Sequence, residues 1–238
     1  MPIPAQVQAT AYLAAAGRAE IDPYARLFLG GLTPAERDLA ARGSDEVVSR
    51  TRLMDLLLLG VLGPAATVVN LGAGLCARPY RLDLSACREF IEVDAPAVLA
   101  AKTSILAGYQ PSCPVRRIPG TTATLPPVPA PAVVLTEGLL VYLTPAQVAA
   151  LAATLAALPG PIDWLADIVS ADSAAAMAQL AGRAGKPLPL SGLDSLSAFE
   201  HAGWQIRDYR PLPTARPARP GRSSHDIVDG VLHLHRRE

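Results

Sequence analysis

The run Val68-Val69-Asn70-Leu71-Gly72-Ala73-Gly74 constrains this chain more than any other segment. An apolar, β-branched stretch that stops at a glycine pair reads as a buried strand feeding a tight turn. Glycine is needed there because the backbone must come close to a ligand. Twenty positions beyond Gly74, a second such strand, Phe90-Ile91-Glu92-Val93-Asp94, ends in an acid. In parallel α/β proteins this pair builds a nucleoside pocket: the glycines admit the ligand, and the acid accepts hydrogen bonds from ribose hydroxyls. The pair does not by itself say which nucleoside cofactor is bound.

The rest of the chain supplies the context for such a pocket. Before the glycines the sequence is helical: alanine-rich over 5–18, a Thr33-Pro34-Ala35-Glu36 helix start, then a strong helix over 45–62 that ends at Gly63-Pro64. After them, strands are predicted over 67–71, 90–94, 115–118, 132–136, 163–169, 205–209 and 227–235. Helices are predicted over 97–107, 146–158, 172–183 and 193–202. This alternation predicts a parallel sheet with helices on both faces. Trp204 to Tyr209 and Val231 to His235 are joined by the Pro/Arg-rich loop 211–224 with no helix in it, so they should pair antiparallel. The stretch Leu125 to Pro131 reads as a stiff, extended connector.

Bulk properties exclude several function classes. The 238 residues suit one domain, with residues 1–63 as helical cap and lead-in and 64–238 as the α/β core. Net charge is zero and 18% of residues are charged, so no global field recruits nucleic acid or an anionic membrane. No apolar run reaches the ~20 residues that span a bilayer, and Met1-Pro2-Ile3-Pro4 lacks a basic signal segment. A cytoplasmic location is expected. Cys76, Cys87 and Cys113 have no CxxC spacing and are expected as buried free thiols. Lysine is nearly absent while arginine and alanine abound, which reads as a GC-rich, bacterial coding bias.

Two cofactors compete for the glycine loop. Gly72-Ala73-Gly74-Leu75-Cys76-Ala77 also fits the dinucleotide pattern G-x-G-x-x-[GA]. A dinucleotide needs a helix starting at the glycines, with its amides on the pyrophosphate. Pro79 interrupts such a helix, and the loop follows a long helical leader. Both features favour S-adenosylmethionine. A parallel sheet closed by a late antiparallel hairpin also looks like the class I S-adenosylmethionine-dependent methyltransferase fold, a Rossmann-like α/β sheet of seven strands in the order 3-2-1-4-5-7-6. Glu137, at the end of a buried strand, should sit beside the glycine loop rather than cap a local turn.

Several segments together resemble the leucine carboxyl methyltransferase family, which includes bacterial natural-product O-methyltransferases. They are Thr10-Ala11 through Tyr24-Ala25; Arg50-Thr51-Arg52 with Asp55; Val69 to Gly74 followed by Arg78 and Arg81-Leu82; Glu92-Val93-Asp94-Ala95-Pro96 with Lys102; and Glu137 to Leu143. The resemblance implies that Arg50 pairs with the carboxylate of S-adenosyl-L-methionine, where a planar guanidinium gives bidentate recognition. It also implies that Gly72, Ala73 and Gly74 contact the cofactor, that Asp94 takes the ribose hydroxyls beside Ala95, and that Glu92 is the fallback. Glu137 is implied at the methionine end. Tyr142, a possible catalytic residue, and Tyr24 are the implied substrate contacts. Two departures stand out: Cys76 replaces a usual aspartate, and Arg116 to Gly120 lacks the acid that normally meets adenine.

Other polar residues are given structural expectations. Arg52 and Asp55 should form a helix-surface pair, Arg78 and Arg81 should brace the loop, and Lys102 should be solvated. His233 and His235 share a strand face and should form an exposed edge rather than a metal site. Arg216, Arg219 and Arg222 should belong to a solvated loop.

The acceptor follows from acid–base chemistry. A carboxylate is ionised at neutral pH and needs no base, whereas a phenol, with a pKa of about 10, normally needs one. No histidine adjoins the motifs, which favours a carboxylate. The expected function is therefore S-adenosylmethionine-dependent methylation of a carboxylate on a small polyketide or other natural-product intermediate. The alternatives are a phenolic or other hydroxyl acceptor, or a non-catalytic cofactor-binding partner. The substrate would be a small carboxylic acid or phenol, with no nucleic acid, membrane or metal involved.

Overall fold

A computed structural model of the chain describes residues 5–123, 125–183, 185, 187–213 and 227–236. Arg216, Arg219, Arg222 and His225 lie outside the described residues.

Three helices come first: α1 (Ala5–Gly17), α2 (Pro34–Arg42) and α3 (Ser44–Val61). α2 starts where the sequence says it should, with the Thr33 side chain and Glu36 forming a reciprocal capping box around Pro34. The α/β part then runs β1 (Thr67–Leu71), α4 (Arg78–Arg81), β2 (Glu89–Asp94), α5 (Pro96–Ile105), β3 (Val115–Pro119), β4 (Ala132–Thr136), α6 (Pro145–Ala156), β5 (Ile162–Ile168), α7 (Ala171–Arg183), α8 (Ser197–His201), β6 (Trp204–Pro211) and β7 (Gly230–Arg236).

The seven strands form one sheet in the order β3-β2-β1-β4-β5-β7-β6. β1 to β5 pair in parallel, and β7 is antiparallel to both β5 and β6. This is the predicted sheet. Every residue of β1 and β4 is buried, as a sheet covered on both faces requires. Alternation along the strands divides the core. Val69, Ile91 and Val134 share a layer with Leu151, Trp164 and Trp204. Val68, Phe90 and Val133 face Met54, Leu57 and Leu58 of α3. Each such aliphatic side chain contributes about 1.5–3 kcal/mol on full burial. Both indoles keep a partner inside: Trp164 Nε1 donates to Thr136 Oγ1 at 3.0 Å, and Trp204 Nε1 to the Ala152 carbonyl at 3.0 Å. The three cysteines are buried and free.

Several local expectations are corrected. The helix predicted over 193–202 is only α8, because Leu193 bridges to Ser170 and exchanges backbone hydrogen bonds with Val169 and Ala171. Pro79 does not merely interrupt a helix; it sits in the first turn of α4, where its missing N–H costs nothing. Lys102 is fully buried against Glu92 rather than solvated. Arg52 is exposed and not paired with Asp55, which instead receives Arg78 and Arg81. His233 and His235 lie on an interior strand, not an edge, and both rings contact Asp163 Oδ1, at 2.7 and 3.0 Å. Among the described residues, no helix is long and apolar enough to cross a membrane.

Candidate active site

The strand order reverses between β1 and β4, and their carboxyl ends diverge there to leave a crevice. A cavity of about 650 Å³ occupies it, within the usual size for a small-molecule site. Its floor is the glycine loop. Gly72 and Gly74 have φ values of +65° and +45°, a region that side chains disfavour. A Cβ on Gly72 would stand 3.0 Å from Leu139, and one on Gly74 would stand 3.5 Å from Ala11 of α1. The positive φ at both positions, and the tight Leu139 side-chain contact at Gly72, leave them to glycine. Arg18 Nη2 donates to the Leu75 carbonyl at 2.6 Å, tying α1 to the same loop.

Asp94 ends β2 facing the loop. Its carboxylate accepts from the Gly74 N–H and the Ala95 N–H, both at 2.6 Å. Burial raises the Asp94 pKa, with the two amides and Lys102 opposing. Asn70, at the end of β1, is 2% exposed and lines the cavity, yet its Nδ2 has no hydrogen-bond partner among the described residues. A buried donor left open in a cavity wall marks a place for a ligand acceptor.

Glu137 follows β4 and is the centre of a buried ion network. Its carboxylate accepts from Arg78 Nη1 at 2.5 Å, Arg50 Nε at 3.4 Å and the Thr51 hydroxyl at 2.9 Å. Arg50 Nη1 also donates to Asp167 at 3.1 Å, and the Gly138 N–H donates to the same carboxylate at 2.7 Å. Arg78 and Arg81 share Asp55. Burial alone would raise the Glu137 pKa, but Arg78, Arg50 and Arg18 outweigh it and hold the carboxyl well below the usual range. Asp167 goes the other way, because its burial exceeds what Arg50 returns.

The structure brings together Arg50, Gly72, Ala73, Gly74, Asp94, Glu137 and Tyr142, all of which line the cavity. It separates two residues from it. Ala95 serves Asp94 through its N–H, and Tyr24 packs its ring on Tyr80 and Tyr109, at 5.7 and 5.3 Å between centroids. Glu92 is not a fallback for ribose: it is fully buried between Lys102 and Arg117. Arg78 braces the loop through Cys76, whereas Arg81 holds Asp55 and Asp22 instead. Cys76 lines the cavity and its Sγ accepts from Arg78 Nη1 at 3.4 Å. An acid is dispensable there because Glu137 and Asp55 already neutralise Arg78. Beyond β3, Gly120 to Ala123 line the cavity, while Arg116 and Arg117 are paired with Glu89 and Glu92. Among the lining residues that escaped the sequence reading are Asn70, whose side chain looked like one more strand position, and Glu46, one helical turn before Arg50 on the same face.

The leucine carboxyl methyltransferase family model matches residues 7–123. A Mycolicibacterium gilvum protein, provisionally named an S-adenosyl-L-methionine-dependent methyltransferase, is 31% identical over 87% of this chain and 88% of its own length. A Streptomyces coelicolor protein with the same provisional name is 37% identical over 70% of this chain, which spans only 57% of that relative. Among solved structures, magnesium protoporphyrin IX methyltransferase from Synechocystis with bound S-adenosylhomocysteine has a TM-score of 0.59 at 12% identity, covering 93% of this chain and 96% of that one. Mitomycin 7-O-methyltransferase has a TM-score of 0.52 at 19% identity, covering 92% and 60%. At such identities the structural likeness concerns the fold alone. The sequence relationship to the Mycolicibacterium protein, extending over most of both chains, places this protein in the leucine carboxyl methyltransferase family, whose cofactor is S-adenosyl-L-methionine.

Proposed function

We propose that this protein transfers a methyl group from S-adenosyl-L-methionine to an oxygen of a small, mostly apolar molecule. The observation that carries the proposal is the cavity at the strand-order reversal, where Asn70, Asp94, Arg50 and Glu137 converge and an apolar wall continues beyond them.

The cofactor, when bound, supplies a methyl carbon on a positively charged sulfur. The chain's own residues suit such a ligand. Arg50 Nη2 makes no hydrogen bond among the described residues and is left for the methionine carboxylate. Asp94 holds the ribose hydroxyls with the acceptor capacity that two amides leave over. Adenine is met by the backbone and small side chains of Gly120 to Ala123. Glu137 stays ionised near the cationic centre because three guanidiniums hold its proton off. Tyr142 donates to Thr10 Oγ1 at 3.1 Å, which joins α1 to the post-β4 segment and closes that side against water.

Titration calorimetry with S-adenosylhomocysteine tests the cofactor side. Binding by the wild type and its loss in Arg50→Ala support the reading, and unchanged affinity in Arg50→Ala would sink the assignment. Label from methyl-labelled cofactor tests the acceptor. A base-labile product is an ester and a base-stable product is an ether. A carboxylate acceptor, expected from the absence of a histidine beside the motifs, would give the ester. The charge of the cavity wall favours a hydroxyl.

A further inference from the structure

Three carboxylates line the cavity, and two already hold partners: Asp94 two backbone amides, and Glu137 two arginines and Thr51. The third, Glu46, has no hydrogen bond or ion pair among the described residues. It lies on α3 one turn before Arg50, so both point to the same side of the helix. Arg50 does not neutralise it by contact, because its Nε and Nη1 go to Glu137 and Asp167. The wall also carries the apolar side chains of Leu39, Val47, Leu143, Met177 and Leu188.

We infer that Glu46 is the acceptor-side residue: its carboxylate receives the proton of a substrate hydroxyl, so the protein methylates phenol- or enol-type oxygens and turns away free carboxylates. The inference rests on the methyl-transfer reading above. In the step, the hydroxyl oxygen bonds to the methyl carbon while the carbon–sulfur bond breaks and leaves its electron pair on sulfur. The hydroxyl proton passes to Glu46 and from there to water.

Three arguments support this acceptor. An oxygen that gains a methyl group while still carrying its proton becomes strongly acidic, so a carboxylate at hand takes that proton downhill. An amine acceptor would need no such base, because its methylated ammonium is stable at neutral pH. A carboxylate acceptor would place a second anion beside Glu46, where neither lining arginine is left for it: Arg18 holds Asp22 and Leu75, and Arg50 holds Glu137, Asp167 and, in the reading above, the cofactor carboxylate. Burial, assisted by Asp229 and Asp167 and opposed by Arg50, raises the Glu46 pKa and makes it a better proton acceptor.

The test uses a naphthol and the matching naphthoic acid as probes, titrated into the protein saturated with S-adenosylhomocysteine. Wild type should bind the naphthol at least roughly tenfold more tightly, a difference of about 1.4 kcal/mol. Glu46→Gln should narrow that ratio to within about threefold by admitting the acid. It should also slow transfer of a base-stable label to the naphthol by about 10²–10⁴, with S-adenosylhomocysteine affinity unchanged. Because Glu46 holds no partner, the glutamine variant removes no contact, and its retained cofactor affinity certifies the fold. Three results would overturn the inference: tighter binding of the acid, binding of neither probe, or a ratio that Glu46→Gln leaves alone. Loss of cofactor binding in Glu46→Gln would also overturn it, since Glu46 would then serve the cofactor. Failure of the wild type to bind S-adenosylhomocysteine would instead overturn the methyl-transfer reading.

Discussion

The molecule buries two groups of ions, and they are built to different ends. At the β2–β3 side, Glu92 sits between Lys102 and Arg117, with Arg117 also donating to Tyr80 and Thr103. Hydrogen bonding closes within that group, and neither Glu92 nor Lys102 reaches the cavity. At the β4 side, Glu137, Arg50, Asp167 and Arg78 are buried to a similar degree. That group stays open, because Arg50 keeps a free nitrogen and its neighbours Asn70 and Glu46 keep unpartnered groups on the cavity wall. Burial of charge is therefore no sign of function here. Hydrogen-bonding capacity left over at a cavity wall is.

The contrast breaks most easily at Glu137. Glu137→Ala leaves Arg78 with Asp55 and Arg50 with Asp167 as their remaining carboxylates, and breaking buried ion pairs destabilises by about 3–5 kcal/mol. Denaturant unfolding should show that loss, and calorimetry should show cofactor binding gone. Lys102→Met should destabilise by about 3 kcal/mol, because Glu92 keeps Arg117. The folded fraction should still bind S-adenosylhomocysteine as wild type does. Adding Glu92→Leu should restore part of the lost stability, since the buried Lys102–Glu92 pair is replaceable by apolar packing while the less buried Arg117 keeps Tyr80 and Thr103. A double variant that loses cofactor affinity would erase the distinction between the two groups.

Acidification sharpens the same contrast. The folded pKa of Glu137 is depressed, so its contribution is complete above the unfolded value of 4.5 and is lost as pH falls through the folded value. Urea midpoints taken from neutral pH downward should fall less steeply in Glu137→Gln. Asp167, whose folded pKa is raised, works in the opposite sense and partly masks the slope. The smallest effect belongs to the exposed Arg52: Arg52→Ala should change stability by no more than about 0.5 kcal/mol and leave cofactor affinity alone.

The sheet was legible because its signals are local. β1 and β4 are continuous apolar runs, Thr33-Pro34 and Thr144-Pro145 announce helix starts, and the Pro/Arg-rich sequence before β7, which carries no helical pattern, announces its reversal. Gly72, Gly74, Asp94 and Glu137 were legible for the same reason, since each ends a readable strand. What the chain hides is pairing across distance. Lys102 looks like a surface lysine until β2 presents Glu92, ten residues away, in the interior. Asp55 looks like a partner for Arg52 until α4 delivers two arginines to it. Tyr24 carries an aromatic ring in a motif-bearing segment, but only tertiary packing shows that Tyr80 and Tyr109 claim it. Glu46 stands in a first helical turn, where an acid is favourable in any protein.

The Tyr142–Thr10 hydrogen bond joins positions 132 residues apart. Closing so long a loop is entropically expensive, although the expense grows only with the logarithm of its length. That contact is thus among the last that folding can reward, although α1 itself packs on the neighbouring helices α2 and α3. A ligand that fills the cavity binds only the docked form, so it holds α1 in place by mass action. Amide exchange in α1 should therefore slow with cofactor concentration more than exchange in β1 does, and occupancy of the site would be readable at the far end of the chain.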